Sequence, residues 1–352
     1  MKVLSKILCI LLIFTSLACE RKPLYLQGDY ELNVAVQVEA DINVLWRSDW
    51  QDSLKYDWKP EYGALGYTAP SNVQFVVFDG TTLLKEQTIK TNKRQHIDID
   101  RDRIYNVLLY NKTFTINSEY VGGRYYIETP DVESRASIAD KYTTVHEPGE
   151  VFSTYIRNLN LAETDYELQF ENGKNVYVYN IDATLEPVSY IYVVQFIVIN
   201  DDNSPQIEAK DIPFFTISGI SAKKNLLTRT PVYTGLNQVT TYDIKDGQAM
   251  GDSLIFASRI TILDLVPPSE NTSWETYQNY LYYTVLSIDT YNYGTVTGAK
   301  DITKQLNANP KGGVITVKIL NSEIKSAGAD PEGGEFGIDV NEWNQHIIDI
   351  PV

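Results

Sequence analysis

Three histidines, two cysteines and 46 acidic residues are the groups in this chain that could do chemistry. His96, His146 and His346 stand far apart, and none has a second histidine three or four places away, so no zinc-binding pair sits on one helix face. His146-Glu147 lies beside Pro148 in a polar stretch and reads as a solvated loop contact rather than a catalytic dyad. Asp98, Asp100 and Asp102 alternate as the opening of a calcium loop would. Arg103, however, stands where that loop needs glycine, and Leu109 where it needs glutamate. Asp201-Asp202 and the acids from Asp330 to Glu335 read as acidic loops. There is no Gly-x-Ser-x-Gly and no phosphate-cradling glycine loop; Gly312-Gly313 and Gly333-Gly334 stand where turns lead into strands. A glycosidase needs two carboxyls close in space rather than in sequence, and nothing in the sequence selects a pair. The expectation is a protein that is not an enzyme and carries neither cofactor nor metal.

The cysteines point to one covalent event. Met1, Lys2 and Lys6 precede an apolar run from Ile7 to Phe14, followed by Thr15-Ser16-Leu17-Ala18-Cys19. This is a charged n-region, an h-region and a small residue ahead of a cut, and the run is too short to span a bilayer as a permanent helix. The end of it resembles the lipobox of bacterial lipoproteins, with Ser16 where leucine is commoner. That resemblance implies a diacylglycerol on Cys19 and cleavage just before it. Cys9 leaves with the leader, so the mature chain keeps one thiol and makes no internal disulfide.

Losing residues 1–18 removes two lysines and no acid, and takes the formal net charge from −16 to −18. Such a surface repels phosphates, which excludes nucleic acid as a partner on electrostatic grounds. The membrane must then be held by lipid alone. One acyl chain holds only marginally, and diacylation of Cys19 supplies the second. Asp52-Ser53-Leu54 and Asp252-Ser253-Leu254 resemble the O-glycosylation signal of exported Bacteroidetes proteins, making Ser53 and Ser253 candidate modification sites.

The elements that carry these residues read as strands. From Leu32 to Trp46 every even position is apolar, a period of two that means extended chain with one buried face. Further strands are expected at Val73–Phe78, Leu83–Ile89, Ile104–Tyr110, Phe114–Ile116, Tyr125–Glu128 and Tyr166–Phe170. Asp79-Gly80 between two β-prone runs marks a hairpin. Thr129 to Gly149 reads as a long connection. Later strands are expected at Tyr190–Ile199, Phe214–Ile217, Leu254–Leu263, Tyr280–Asp289, Val314–Ile319, Phe336–Val340 and Ile347–Pro351. The expected organisation is a signal peptide (1–18), a lipidated stem (19–29), and two all-β domains, 30–182 and 183–352. Tyrosine occurs 25 times, in keeping with strands, where its ring packs on a pleated face and its hydroxyl reaches water. The alternative is an aromatic platform for glycans, formed by Tyr277, Tyr280, Tyr282, Tyr283, Tyr291 and Tyr293.

Several segments resemble a family. Glu20-Arg21-Lys22-Pro23-Leu24 behind Cys19, Pro70-Ser71-Asn72 leading into Val73–Gly80, and above all Tyr105-Asn106-Val107-Leu108-Leu109-Tyr110-Asn111 are similar to the fimbrillin-like lipoproteins of Bacteroidetes. In the second half, Ala183–Pro187, Ile217-Ser218-Gly219-Ile220, Asp301–Gln305 and Gly333–Trp343 resemble the carboxy-terminal domain of the same family. The resemblance implies two tandem transthyretin-like, Greek-key β-sandwiches and a place in a fimbria-like surface assembly, as an anchor or accessory subunit. Its partners would be fimbrillin-like subunits joined by β-strand addition, its membrane the outer membrane. The cell surface is the expected face, with the periplasmic face open. A glycan-binding outer-membrane lipoprotein is the rival reading, and His346–Val352 is either a donated strand or one paired within its own sheet.

Overall fold

The computed structural model describes residues 29–38, 69–97, 99, 103–132, 142–161, 166–201, 207–246, 251–266, 278–289 and 292–326. Within them the chain is all-β, with two short α-helices and a 3-10 turn at Ala209–Asp211. The first strands are β1 (Asp29–Val38), β2 (Asn72–Asp79), β3 (Thr82–Lys90), β4 (Arg94–Gln95), β5 (Ile104–Tyr110), β6 (Asn117–Val121) and β7 (Arg124–Glu128). Next come β8 (Thr143–Val145), β9 (Phe152–Asn160), β10 (Glu167–Glu171), β11 (Lys174–Pro187), β12 (Tyr190–Ile199), β13 (Phe214–Ser221) and β14 (Lys223–Asn225). The series ends with β15 (Thr230–Val232), β16 (Asn237–Thr241), β17 (Ile244–Asp246), β18 (Ser253–Ile262), β19 (Asp264–Leu265), β20 (Tyr280–Asp289), β21 (Asn292–Asp301), α1 (Thr303–Ala308), β22 (Gly313–Leu320) and α2 (Asn321–Ser326). No helix among the described residues is long and apolar enough to cross a membrane.

The even-position apolar run begins as expected: Leu32, Val34 and Val36 of β1 all point into a core, and the run past Val38 lies outside the described residues. The Asp79-Gly80 hairpin is present, with Asp79 opposite Thr82 and Gly80 at φ 59°. Two expectations differ. Phe114–Ile116 is a turn region: Ile116 is buried in a core while Phe114 is fully exposed, because two apolar residues separated by Thr115 are too short a run to form a strand. The expected connection from Thr129 to Gly149 contains β8, a three-residue strand that pairs in parallel with β16 and buries Thr144 and Val145.

Among the described residues four sheets enclose three large cores. The first sheet runs β3-β2-β5-β9-β11-β1-β4, with β10 also on β11. It folds back on itself at β11, whose last two residues pair with β9 while its earlier rungs pair in parallel with β1. Between the folded halves lies a core that includes Val34, Phe75, Val107, Leu109, Phe152 and Leu185. A second core lies on the other face of β2 and β5, where Val76, Phe78, Leu108 and Tyr110 meet Tyr125 and Ile127 of the β15-β14-β7-β6 sheet. β2 and β5 are therefore covered on both faces, which is why their sequences are apolar in runs rather than in alternation. The third core, between the β17-β18-β12-β22 and β21-β20-β13-β16-β8 sheets, holds Phe196, Phe215, Phe256, Leu281 and Tyr283.

β11 runs unbroken through Asp182 and Ala183, where the sequence reading divides the chain, and β7 pairs with β14 across that point.

Candidate interaction surfaces

Of the candidate modification sites, Cys19 and Ser53 lie outside the described residues. Ser253 opens β18, where it is part-exposed and donates from Oγ to Asp252 at 3.4 Å. It borders an open depression whose floor is Ile197, Ile199 and Ile255 and whose rim carries Lys318 and Asp252.

The proposed aromatic platform is not a surface where its side chains are described. Tyr280, Tyr282 and Tyr283 are all buried; Tyr283 packs on Phe196 in the third core, and Tyr280 and Tyr282 lie against Tyr142 on the opposite face of β20. Tyr283 also covers Gly298 across the β20–β21 ladder, where any Cβ would come within 2.3 Å of the ring. Tyr277 and Tyr291 fall outside the described residues.

No cluster of three metal-ligating side chains occurs among the described residues. Asp98, Asp100 and Asp102 lie outside them. His96 is exposed and meets the Tyr30 carbonyl at 3.0 Å. His146 is exposed, while its neighbour Glu147 docks on β18, accepting the Thr261 N–H at 2.9 Å. Burial pushes the Glu147 carboxyl up to about 7, against the pull of that N–H and of Arg259. Asp201, flagged as an acidic-loop residue, accepts from the Ser322 N–H and hydroxyl at the start of α2.

The buried polar groups are built into the frame. Lys224 on β14 is 1% exposed, and its Nζ meets Asp264 at 2.8 Å, the Val188 carbonyl at 2.9 Å and the Tyr190 hydroxyl at 3.2 Å. The same ammonium lies 4.5 Å from the Tyr190 ring centre, so every face of the charge is engaged. Arg229, in the left-handed region at φ 58°, reaches from the β14–β15 turn to Glu186 and to the Ser153 carbonyl, the pair at which β11 meets β9. The segment most typical of the resemblance has the same character. In Tyr105–Asn111 the apolar residues fill two cores. Asn106 accepts the Asn158 N–H beside a bulge, and Asn111 accepts the Phe152 N–H at 2.6 Å while donating to the Glu150 carbonyl at 2.7 Å.

The surfaces left for partners are sheet edges and exposed apolar groups. Among the described residues β3, β21 and β22 are edge strands. The β22 edge is occupied midway: the Gln305 amide on α1 donates to the Thr316 carbonyl and accepts the Thr316 N–H, as a neighbouring strand would. A feature the sequence reading missed is the β10–β11 hairpin, closed by Asn172 and Gly173 at φ 50° and 81°. Asn-Gly between β-prone runs was its signal, since both central residues of the tight turn need positive φ.

No family model matches the chain, and no curated protein matches it. Solved structures do. The chain is similar to a candidate adhesin from Bacteroides ovatus, at 13% identity over 86% of this chain and 96% of that one, with a TM-score of 0.45. It is similar to a candidate polysaccharide-binding protein from Bacteroides thetaiotaomicron, at 9% identity over 84% and 92% of the two chains, with a TM-score of 0.44. A fimbrial anchor protein from Porphyromonas gingivalis matches at 10% identity over 83% and 90%, with a TM-score of 0.41.

Proposed function

We propose that the chain is a lipid-anchored, non-catalytic protein of the bacterial cell surface, an anchor or accessory subunit of a fimbria-like assembly. The observation that carries the reading is Cys19 at the end of a charged and apolar leader, ten residues ahead of the first described strand. An acidic, all-β body behind a lipidated cysteine suits a partner-binding role. The charged groups found buried are engaged in holding sheets together. Edge strands such as β3 and β21 offer backbone groups along one side, and an extended segment from a fimbrillin-like subunit would pair there by strand addition. Ser253, part-exposed at a strand start, is the described candidate for O-glycosylation; enzymatic or chemical deglycosylation should raise gel mobility, and the change should vanish in Ser253→Ala.

The test is metabolic labelling with an alkyne palmitate. Wild type should carry label and sediment with the outer membrane, and Cys19→Ala should lose both. Pull-down from detergent-solubilised cells should recover a fimbrillin-like protein; recovery of none would remove the assembly role. Protease added to intact cells should degrade the labelled protein, whereas protection until the outer membrane is breached would place it on the periplasmic face.

A further inference from the structure

The β10–β11 hairpin projects beside the entry to β1. Asp29 lies opposite Val176 in parallel register, and Phe170 lies opposite Asn175, one rung before the Asn172-Gly173 turn. Because side chains alternate, the hairpin has two faces. Glu167, Gln169 and Glu171 share one, where Arg94 meets Glu171 at 2.7 Å, Gln169 at 2.7 Å and Glu31 at 3.6 Å. The other face continues the inner face of the folded sheet. Tyr30 stacks on Tyr177 at 4.9 Å, Tyr166 closes edge-on against both, and Leu168 and Phe170 follow. These two are 57% and 75% exposed. β11 meets β9 only at Glu186 and Pro187; its first rungs are flanked by β1 and β10 instead, and Leu168 and Phe170 at that end stay uncovered.

Other exposed apolar residues gather at the same end. Ser153 of β9 lies opposite both Tyr110 and Glu186, so the Ile104 end of β5 and the Lys174 end of β11 point the same way. Ile104, Leu84 beside the β2–β3 turn, and Val121 at the β6–β7 turn are exposed there, the two turns being linked by the Tyr120 hydroxyl donating to the Thr81 carbonyl. Phe114, the other exposed phenylalanine among the described residues, follows Tyr110 at the opposite end.

The geometry points to this end as a lipid-contacting face: the hairpin lies against the membrane that holds the chain and places Leu168 and Phe170 in its interfacial layer. The inference rests on the lipid-anchor reading of Cys19. Asp29 is ten residues along the chain from Cys19, a span of at most about 36 Å, so the start of β1 and the hairpin beside it cannot leave the bilayer's vicinity. Apolar side chains backed by tyrosines suit that layer, where amphipathic rings sit at headgroup level. The charges around the tip, Asp29, Glu31, Glu167 and Glu171 against Lys93, Arg94 and Lys174, nearly balance, so the contact is apolar and not directed at anionic headgroups. It is a weak contact made effective by the tether, which holds the hairpin at high local concentration.

The experiment supplies the tether chemically. The mature, unlipidated chain is coupled through Cys19, its single thiol, to a maleimide lipid in phosphatidylethanolamine–phosphatidylcholine vesicles containing brominated phosphatidylcholine. Phe170→Trp and Phe114→Trp variants are compared after subtracting the emission of the five native tryptophans. The F170W signal should shift to the blue and lose intensity on tethering, and the F114W signal should do neither. In the wild type, amides of 167–171 should exchange more slowly once tethered, and Leu168→Ser with Phe170→Ser should abolish that slowing. Unquenched F170W emission with unchanged exchange overturns the proposal. So does protection that appears only as copies associate, or only when a fimbrial subunit is added, since the face would then belong to protein. Because the maleimide replaces the natural lipid, a negative result speaks against the hairpin contact, while palmitate labelling alone decides on lipidation.

Discussion

At the scale of single residues, the chemistry is that of burying charge. Lys224 is an ammonium removed from water and repaid by a carboxylate, a carbonyl, a hydroxyl and a ring face. Truncating one partner of such a pair strands the other, a loss of about 3–5 kcal/mol, whereas replacing both with apolar groups is close to neutral. Lys224→Ala should therefore lower stability in urea by about that amount, and Lys224→Met combined with Asp264→Leu should recover most of it. Glu147 shows the opposite case, a carboxyl that the fold prefers neutral. Its folded pKa lies above the unfolded one, so its favourable contribution is full below about pH 4.5 and is lost as pH rises through about 7. Glu147→Gln keeps an oxygen for the Thr261 N–H and removes the titration. Thermal melts of the two proteins should coincide at pH 4, and the variant should be more stable at pH 8 by about 1–2 kcal/mol. Neither residue was legible in the sequence. Lys224 stands in an ordinary polar run, and its burial depends on Asp264, forty positions away; His146-Glu147 read as a solvated loop, which describes His146 but not its neighbour.

Strands whose single face is buried were legible, because alternation survives in the sequence; β1 is the example. β2 and β5 were legible by composition, and the Asp79-Gly80 turn by its residue types. β9, Phe152–Asn160, was not expected, since Arg157 and Asn158 interrupt its pattern where the chain bulges against β5. β8 was hidden because three residues carry no period. Glycines read as turn formers prove more specific: Gly312, at φ 102°, brings any Cβ within 2.5 Å of the Ile191 carbonyl, so it permits the turn and the close approach of β22 to β12 together. The Asp301–Gln305 segment, quoted for its resemblance, acquires a physical role as the start of α1, whose Gln305 takes the place of a neighbouring strand on β22. Gln305→Ala should leave the fold intact, at a cost of about 1 kcal/mol, and release the Thr316 amide to exchange many times faster than its neighbours on β12. Equal protection of Thr316 in both proteins would show that something other than the glutamine covers that edge.

For the whole molecule the question is whether the folded first sheet and the later sandwich behave as separate bodies. The second core says otherwise, because it draws Val76, Phe78, Leu108 and Tyr110 from one half of the chain and Val188, Leu226 and Leu263 from the other. At its centre the Tyr110 and Tyr125 hydroxyls meet at 2.9 Å, and burial pushes the Tyr110 hydroxyl up to about 12, so the pair stays neutral and bonded over the physiological range. Arg229 and Lys224 fasten the same layer to β9, β11 and the segment before β12. A cavity made there must therefore be felt on both sides. Leu108→Ala should cost about 2–4 kcal/mol and speed amide exchange together in β2 and in β14, within one melting transition. Phe75→Ala, which empties only the core inside the folded sheet, should loosen β2 and β5 and leave β12 and β18 protected. If Leu108→Ala instead loosened β2 alone, the middle layer would be no more than a covering of the first sheet. If both sides loosen together, load passing between the two halves of the chain is shared among β7, β14 and their side-chain ties.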